Sequence, residues 1–369
     1  MNDLKVGIFS WNIGDIGDNS KIDNLLSSAL NTYTDGYPDI FVFGFQEYHI
    51  LPFKLNINDK TIFDNILGSI NSKDKGKYKI LDSSSACSQL SSFETMLLIL
   101  IKTEYTSDKN TIIKKSECLS STGSQTLLIG TKGYELIKFT LKGNELIFVN
   151  AHFPFQNEDT LNKFYNSLQQ FIKNVKPDNS LIFIFGDMNS RCLLTNEYKK
   201  DVFNCENNDS KFENWCSIKK ELESKDFNVT YYFHDYKNQI TDSDLINKLK
   251  STDLYIKAKE SLFFKDGFQE GEINFLPTYK RDSVSGKFKL SKDKAGRLPG
   301  YADRIFFKTP DNKSIQCLKY GSLGVEGNDH LPIGGHYLIT NKTTGGRTRT
   351  RQKSRTRSKS KKSRSKGKK

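Results

Sequence analysis

Short apolar runs recur along the chain, and several of them end directly in polar side chains. Continuous apolar runs of this length are typical of β-strands buried on both faces. The polar groups therefore stand where predicted core strands end. The clearest cases are Val6–Ser10 followed by Trp11 and Asn12, Ile40–Phe45 followed by Gln46 and Glu47, the run to Val149 followed by Asn150–His152, and Leu181–Phe185 followed by Gly186–Arg191.

Helical spacing alternates with these strands. Residues 21–30 and 159–175 each place their apolar residues on one face, which predicts two amphipathic helices. Residues 200–265 are mostly polar and are expected on the outside, with helix-like pieces at 212–222 and 244–254. Further strands are predicted at 93–101, over 135–148 as a pair joined by a turn at residues 142–144, and at 273–280, 303–307 and 336–339.

The positive charge is concentrated at the carboxyl end. The formal net charge of the 369 residues is +13, but residues 345–369 carry thirteen Lys and Arg and no acid. The rest of the chain has 43 basic and 43 acidic residues and is neutral. We therefore expect one folded domain over residues 1–342 and a basic tail over 343–369, whose Arg, Lys, Ser and Thr cannot form a core and predict disorder.

Cysteine usage and hydropathy indicate an intracellular protein. The six cysteines are widely separated, without a CxxC pair or a zinc-like spacing, so free thiols are expected. The amino terminus lacks the pattern of a signal peptide, and no apolar stretch reaches the length of a spanning helix. A cytoplasmic or membrane-surface location is predicted, with nuclear targeting by the tail as an alternative.

The stretch LIFIFGDMNSR is the strongest candidate for catalysis. Asp187 could take a proton from water, Asn189 could hold that water or an oxyanion, and Arg191 could support either group. Gly, Asp and Asn are also ordinary turn residues, so an Asx turn that closes the strand is the alternative. The sequence around these residues does not decide between the two.

Other strand ends offer groups for a metal and a phosphate. Glu47 is the best candidate ligand for a hard cation such as Mg²⁺, and Asn12 could support the same ion. His152 could donate to a phosphate, whereas a lone histidine is often purely structural. His330 could be oriented by a distant acid such as Asp303, a recurring catalytic device.

The order of these groups is more specific than any one of them. They form the series SWN, FQE, NAH, GDMNSR, PTYK, RLPGYADRI and NDHLP. The series resembles the endonuclease/exonuclease/phosphatase superfamily and, within it, the inositol polyphosphate 5-phosphatases. The most specific part spans 268–304, because nuclease relatives lack the PTYK element.

The resemblance implies a metal centre and a general base. Glu47 matches the metal-binding glutamate of the family, with Asn12 beside it and Asp329 near a second metal position. Asp187 matches the residue that activates the attacking water, and Asn189 matches the residue that positions it. The implied cofactor is Mg²⁺.

The resemblance also implies groups that bind the reacting phosphate and the substrate. His152, and His330 oriented by Asp303, match the residues that stabilise the transition state. The implied substrate-binding residues are Tyr279, Lys280 and Arg297 for a retained 4-phosphate and Lys132 for the inositol headgroup. Departures from the family pattern lie at Thr131, Tyr301 and Ala302, and they bear on substrate choice more than on catalysis.

The sequence thus predicts an α/β fold, a four-layer sandwich of two mixed β-sheets packed face to face with helices outside. The expected activity is Mg²⁺-dependent removal of the 5-phosphate from phosphoinositides or soluble inositol polyphosphates, by a monomer. A nuclease on the same scaffold is one alternative, and a non-catalytic protein that binds nucleic acid or membrane is another. The tail could bind an anionic membrane surface or nucleic acid.

Overall fold

Two six-stranded sheets form the centre of the molecule, and each contains both parallel and antiparallel pairs. The first sheet has the strand order β11-β12-β1-β2-β4-β3 and the second β5-β6-β7-β8-β10-β9. The computed structural model describes residues 3–14, 20–34, 36–48, 59–74, 77–86, 94–105, 111–119, 132–154, 158–189, 246–247, 262–283, 288, 299–325 and 327–341. The strands are β1 (Leu4–Asn12), β2 (Ile40–Tyr48), β3 (Tyr78–Ala86), β4 (Glu94–Lys102), β5 (Ile113–Leu119), β6 (Lys132–Leu141), β7 (Asn144–His152), β8 (Leu181–Asp187), β9 (Gln269–Glu270), β10 (Asp303–Lys308), β11 (Lys313–Ser322) and β12 (Ile333–Asn341).

The helices pack outside the sheets. They are α1 (Ser20–Leu30), α2 (Asp59–Lys73), α3 (Glu158–Lys173) and the short α4 (Leu262–Lys265). One apolar cluster fills the space between the sheets, with residues such as Ile8, Val42 and Phe183. A second lies between the first sheet and α1 with α2, and a third between the second sheet and α3 with α4. The predicted four-layer α/β sandwich is confirmed.

Local chemistry explains several of these elements. The helix predicted over 159–175 forms as α3, whose apolar stripe is buried against the second sheet. The predicted hairpin forms as β6 and β7, joined by Lys142 and Gly143. Both residues have positive φ angles, 49° and 72°, as a tight turn between twisted antiparallel strands requires.

The predicted strand over 273–280 is wrong. This segment is irregular and makes only isolated bridges, from Tyr279 to Gly300 and to His330. Pro277 cannot donate a ladder hydrogen bond, and the neighbouring Phe275 and Leu276 are both buried in the core between the sheets. The segment is therefore held by side-chain packing and by a few isolated backbone hydrogen bonds, without a continuous strand ladder.

Two further predictions concern the cysteines and the membrane. Cys118 is disulfide-bonded, so the expectation of free thiols is wrong there, while Cys317 is a free thiol. Spacing along the chain does not decide which cysteines come within bonding distance. Within the described ranges, no helix has both the length and the apolar character needed to cross a membrane. The helix-like piece at 212–222, most of that at 244–254, and the basic tail lie outside the described residues.

Candidate active site

The polar strand ends of both sheets meet at one end of the sandwich. β1 runs parallel to β2, and β7 runs parallel to β8 with His152 opposite Asp187. Asp303, the first residue of the antiparallel β10, also lies opposite Asp187. The amide nitrogen of Asn12 on the first sheet donates to Oδ2 of Asp187 on the second at 3.0 Å, so the site joins the two sheets.

Asp187 lies at the centre of this site and is buried. Besides the bond from Asn12, its Oδ1 accepts the backbone N–H of Asn189 at 2.8 Å, and Nε2 of His152 lies 3.3 Å from its Oδ2. Burial alone would raise the pKa of Asp187, but the charge of His330 and the hydrogen bond from His152 outweigh it and hold that pKa well below its ordinary value. Asp187 is therefore an ionised carboxylate surrounded by donors.

The segment after β8 is compatible with both interpretations of the sequence, an Asx turn and a catalytic site. The bond from the Asn189 backbone to Asp187 is the hydrogen bond of an Asx turn, so the turn is present. Asn189 has a φ of 50°, and its side-chain nitrogen donates to the Phe153 carbonyl at 2.7 Å. Gly186 has a φ of 136°, and a Cβ there would lie 1.9 Å from the carbonyl oxygen of Ala151. The turn thus fixes the positions of the Asp187 and Asn189 side chains, and its presence is compatible with a catalytic role for both residues.

Asp303 and His330 form a buried hydrogen-bonded pair. Nδ1 of His330 lies 3.0 Å from Oδ2 of Asp303, and its Nε2 lies 3.9 Å from Oδ2 of Asp187. Burial would lower the pKa of His330, but the charges of Asp303 and Asp187 raise it to about 9. The ring also packs against Tyr279, with 4.5 Å between ring centroids. His330 is therefore an oriented imidazolium whose Nε2–H faces the centre of the site.

His152 has the opposite electrostatic character. It is fully buried, and burial followed by the charge of Lys132 lowers its pKa, so the ring is neutral near pH 7. Its Nε2 contacts Nζ of Lys132 and lies 3.5 Å from Oε1 of Glu47. Its Nδ1 has no hydrogen-bond partner among the described residues.

Glu47 stands at an irregularity of its strand. Its φ is 52°, unusual for a residue with a Cβ, and its side chain is 34% exposed. Burial would raise the pKa of Glu47, but the neighbouring His152 ring and the charge of Lys132 lower it, so the carboxylate is ionised. Nζ of Lys132 is 3.6 Å from Oε1.

The predicted substrate-binding residues that the structure describes lie beside this cluster. Tyr279 contacts His330, and Nζ of Lys280 lies 3.8 Å from Oδ2 of Asp329, whose side chain is 39% exposed. Asp329 thus stands beside Lys280. Arg297 and Arg191 lie outside the described residues.

The donor set suits a metal ion. Among the described residues, Asp187, Asp303 and His330 form a group whose ligand atoms all lie within 4.8 Å of one another. His330 with its raised pKa fits the role of an acid better than that of a ligand, because a metal requires a neutral ring nitrogen. Glu47 offers a partly exposed carboxylate and Asn12 offers an amide oxygen, and such oxygens are the ligands that a hard cation prefers.

Sequence reasoning named Gln46 and Asn150 as polar residues at strand ends but missed the polar layer that they form with two further residues directly beneath the site. Gln46, Asn150, Glu135 and Ser10 are all buried and hydrogen-bonded to one another. The available signal was the position of Glu135 and Asn150 within otherwise apolar strands, where a buried polar group needs partners.

Comparisons with known proteins agree with this architecture. The chain matches the family described as Endonuclease/Exonuclease/phosphatase family 2 over residues 9–232 and 222–336. It therefore belongs to that family of α/β sandwich proteins.

The resemblance to the inositol polyphosphate 5-phosphatases is also confirmed. The chain is 25% identical over 341 residues to the polyphosphatidylinositol phosphatase INP53 of Saccharomyces cerevisiae, covering 89% of this chain and 26% of that protein. It is 25% identical over 233 residues to the phosphatidylinositol 4,5-bisphosphate 5-phosphatase A of Homo sapiens, covering 57% of this chain and 19% of that protein. The chain thus spans about a quarter or less of the length of these two relatives.

Solved structures show the same fold. The inositol polyphosphate 5-phosphatase domain of SPsynaptojanin, in complex with inositol (1,4)-bisphosphate and calcium ion, matches with a TM-score of 0.59 and 20% identity, covering 92% of this chain and 86% of that one. A Cimex nitrophorin in its ferrous NO complex matches with a TM-score of 0.61 and 19% identity, covering 92% and 99%. Since both likenesses are below 25% identity, they establish the fold alone.

Proposed function

We propose that this chain is a Mg²⁺-dependent phosphatase that removes the 5-phosphate from phosphoinositides or soluble inositol polyphosphates. One observation carries the proposal: the ionised carboxylate of Asp187 accepts the amide N–H of Asn12 and lies beside a neutral His152 and a cationic His330, and Oε1 of Glu47 lies 3.5 Å from Nε2 of the same His152. A carboxylate base, imidazole donors and a hard-cation site are the groups that phosphate monoester hydrolysis requires. The names of the curated relatives support this substrate class.

Asp187 would act as the general base. It accepts a proton from a water molecule that Asn189 helps to hold, the oxygen of that water bonds to phosphorus, and the bond from phosphorus to the C5 oxygen breaks. The leaving oxygen takes up a proton and becomes the C5 hydroxyl. Because the pKa of Asp187 lies below its ordinary value, the base form is present throughout the neutral range.

His330 and His152 would stabilise the charge that develops on the phosphoryl oxygens. The imidazolium of His330 brings a positive charge and an N–H donor, both fixed by Asp303. The neutral ring of His152 can donate through one of its nitrogens. His152 is held in β7 between β6 and β8, and His330 is held by its hydrogen bond to Asp303 and its packing against Tyr279, so both donors keep their positions during the reaction.

Glu47 and Asn12 would hold the Mg²⁺ ion, and Asp329 is proposed to lie near a second metal position. When bound, the ion supplies positive charge to the phosphate and its leaving group. The ionised state of Glu47 and the oxygen chemistry of both ligands fit this role.

Substrate selection is assigned to the rim. Tyr279, Lys280 and Arg297 would bind the retained 4-phosphate, and Lys132 would face the headgroup. Lys280 already lies 3.8 Å from Asp329, so a phosphate would compete with that carboxylate for the ammonium group. The basic tail would add attraction to an anionic membrane surface. We propose that the protein acts as an intracellular monomer.

The direct test is phosphate release over a panel of substrates. The panel should contain inositol phosphates and phosphoinositides with and without a 5-phosphate, together with nicked and single-stranded nucleic acid. We expect Mg²⁺-dependent release only from compounds that carry the 5-phosphate. Cleavage of nucleic acid without release from inositol substrates would favour a nuclease on this scaffold, and inactivity on every substrate would favour a non-catalytic binding protein.

A further inference from the structure

A buried polar network crosses from one sheet to the other one layer beneath the active site. On the second sheet, Asn150 of β7 and Glu135 of β6 are direct cross-strand neighbours, and the Asn150 amide nitrogen donates to Oε1 of Glu135 at 2.9 Å. On the first sheet, the amide nitrogen of Gln46 donates to Oγ of Ser10 at 3.1 Å and to Oδ1 of Asn150 at 2.6 Å. All four side chains are at most 1% exposed.

The same Asn150 amide also reaches the backbone of the first sheet. Its nitrogen lies 3.0 Å from the carbonyl oxygen of Phe45 and 3.1 Å from that of Met96. Phe45 and Met96 face each other on β2 and β4 and form the last regular pair of that ladder before its register shifts. Asn150 therefore fastens the second sheet to the first at the point where the ladder becomes irregular.

The irregularity is what directs Glu47 into the site. Between the pairs Phe45 with Met96 and Tyr48 with Glu94, two residues of β2 face one residue of β4, which is a β-bulge. Glu47 is the second of the two residues and carries the positive φ of 52°. A bulge re-aims side chains but leaves backbone groups unpaired, so it needs partners that hold it in place.

The packing leaves room for this arrangement at Gly44. A Cβ at that position would lie 2.8 Å from Oδ1 of Asn150 and 2.4 Å from the Phe185 ring. Any side chain there would displace Asn150, so the glycine and the asparagine are matched parts of one contact. Asn150 and Phe185 face each other on β7 and β8, and the pair two residues further along these strands is His152 with Asp187 of the active site.

We propose that Asn150 is a positioning residue for the metal site: held by Glu135 and Gln46, it fixes the bulge of β2 and so sets the carboxylate of Glu47 against His152 and Asp187. Asn150 touches neither substrate nor metal in this account and acts through Glu47. The inference rests on the proposed function, in which Glu47 holds the cation. Removal of a hydrogen-bonded partner behind a metal ligand typically weakens metal affinity by about 10- to 100-fold.

The test is the metal affinity of the full chain with Asn150→Ala. Metal binding is read from the rise in melting temperature as Mg²⁺ or Ca²⁺ is added, and separately from the Mg²⁺ dependence of phosphate release. We expect the half-saturating metal concentration to rise by about ten-fold or more, with kcat at saturating metal affected less. The matched control is Asn144→Ala on the same strand, a buried asparagine bonded to the Lys142 carbonyl at 3.3 Å, which should leave the metal midpoint unchanged.

A second pair of variants keeps the proposal testable if Asn150→Ala does not fold. Glu135→Leu removes the acceptor that orients Asn150 and should raise the metal midpoint, whereas Glu135→Gln retains an acceptor and should restore it. The proposal is overturned if Asn150→Ala folds and its half-saturating metal concentration lies within two-fold of the wild-type value. If Asn150→Ala does not fold, the same result for a folded Glu135→Leu overturns it. If the wild-type protein itself shows no metal-dependent shift, the proposed metal role fails and this inference fails with it.

Discussion

At the scale of single residues, Asp187 has the most demanding environment in the site. It is buried, ionised and contacted by donors from both sheets. Asp187→Asn keeps the shape and removes the base, so phosphate release should fall by about 10²- to 10⁴-fold while the fold survives. Phosphate release at saturating Mg²⁺ and circular dichroism would measure both effects.

The matched control is Asp178→Asn, an exposed aspartate in the turn before β8. It should leave phosphate release and the fold unchanged. If Asp187→Asn released phosphate at nearly the wild-type rate, another residue would have to be the base.

Lys280 tests how the substrate is held. If it binds the retained 4-phosphate, Lys280→Ala should cost about 2 kcal/mol, roughly 30-fold in kcat/KM, on substrates that carry the 4-phosphate. Substrates without that phosphate should lose much less. Lys77→Ala, an exposed lysine remote from the site, serves as the control. Equal losses on both substrate types would mean that the headgroup is bound in another way.

The residues at the strand ends could be predicted from the sequence because polar side chains there follow long apolar runs. Asp187, Asn189 and His152 follow such runs directly, and the structure brings them together. Contacts that depend on the pairing of strands distant in sequence could not be predicted in this way. The contact of Lys132 with His152, and the hydrogen bonds of Asn150 across the sheets, arise from register and bulges that a linear pattern does not contain.

At the scale of elements, the predicted strands are mainly the central ones. β1, β2, β7 and β8 are continuous apolar runs because both faces are covered. The missed strands β3, β5 and β11 lie at or near sheet edges, where polar and charged residues such as those of SSSA and IKKSE are solvated. The helix α2 was also missed, although Ile62, Ile66 and Ile70 recur at helical spacing and are buried against the first sheet.

The contact of β12 with the segment after α1 makes folding sensitive to acid. His336 is 6% exposed, stacks on Tyr33 with 3.9 Å between ring centroids, and its Nε2 lies 3.0 Å from Oγ1 of Thr32. Burial, followed by the charge of Lys319, lowers the pKa of His336 to about 3. Because the unfolded chain binds a proton near pH 6.5 and the folded chain does not, stability is lost as the pH falls below 6.5.

We expect this histidine to contribute about 2 kcal/mol to the loss of unfolding free energy between pH 7 and pH 5. The variant His336→Phe keeps a ring against Tyr33 and removes the titrating group. Urea unfolding at the two pH values should show a smaller pH dependence for the variant by about that amount. An identical pH dependence in both proteins would contradict the assignment.

At the scale of the whole molecule, the excess positive charge lies in a different part of the sequence from the proposed catalytic residues. The thirteen basic residues of 345–369 lie outside the described residues, and the remainder of the chain is neutral. The tail has no apolar residue to insert into a bilayer, so binding to anionic lipid would be electrostatic and weakened by salt. Phosphorylation of its serines would weaken that binding further.

Deletion of residues 345–369 should leave hydrolysis of a soluble inositol phosphate unchanged and lower activity on anionic vesicles at low salt. The comparison should be repeated at high salt, where the two proteins are expected to converge. Equal activity of both proteins on vesicles at every ionic strength would remove the membrane role and favour nucleic-acid binding or nuclear import.

The identity of the product formed from inositol 1,4,5-trisphosphate tests the central claim most directly. The wild-type protein should be incubated with the trisphosphate and Mg²⁺, and the product identified by phosphorus NMR. The account predicts inositol 1,4-bisphosphate and one equivalent of inorganic phosphate, formed by Asp187→Asn about 10²- to 10⁴-fold more slowly under the same conditions. Loss of the 1- or 4-phosphate, or no turnover by the wild-type protein on this or any inositol 5-phosphate, would contradict the account.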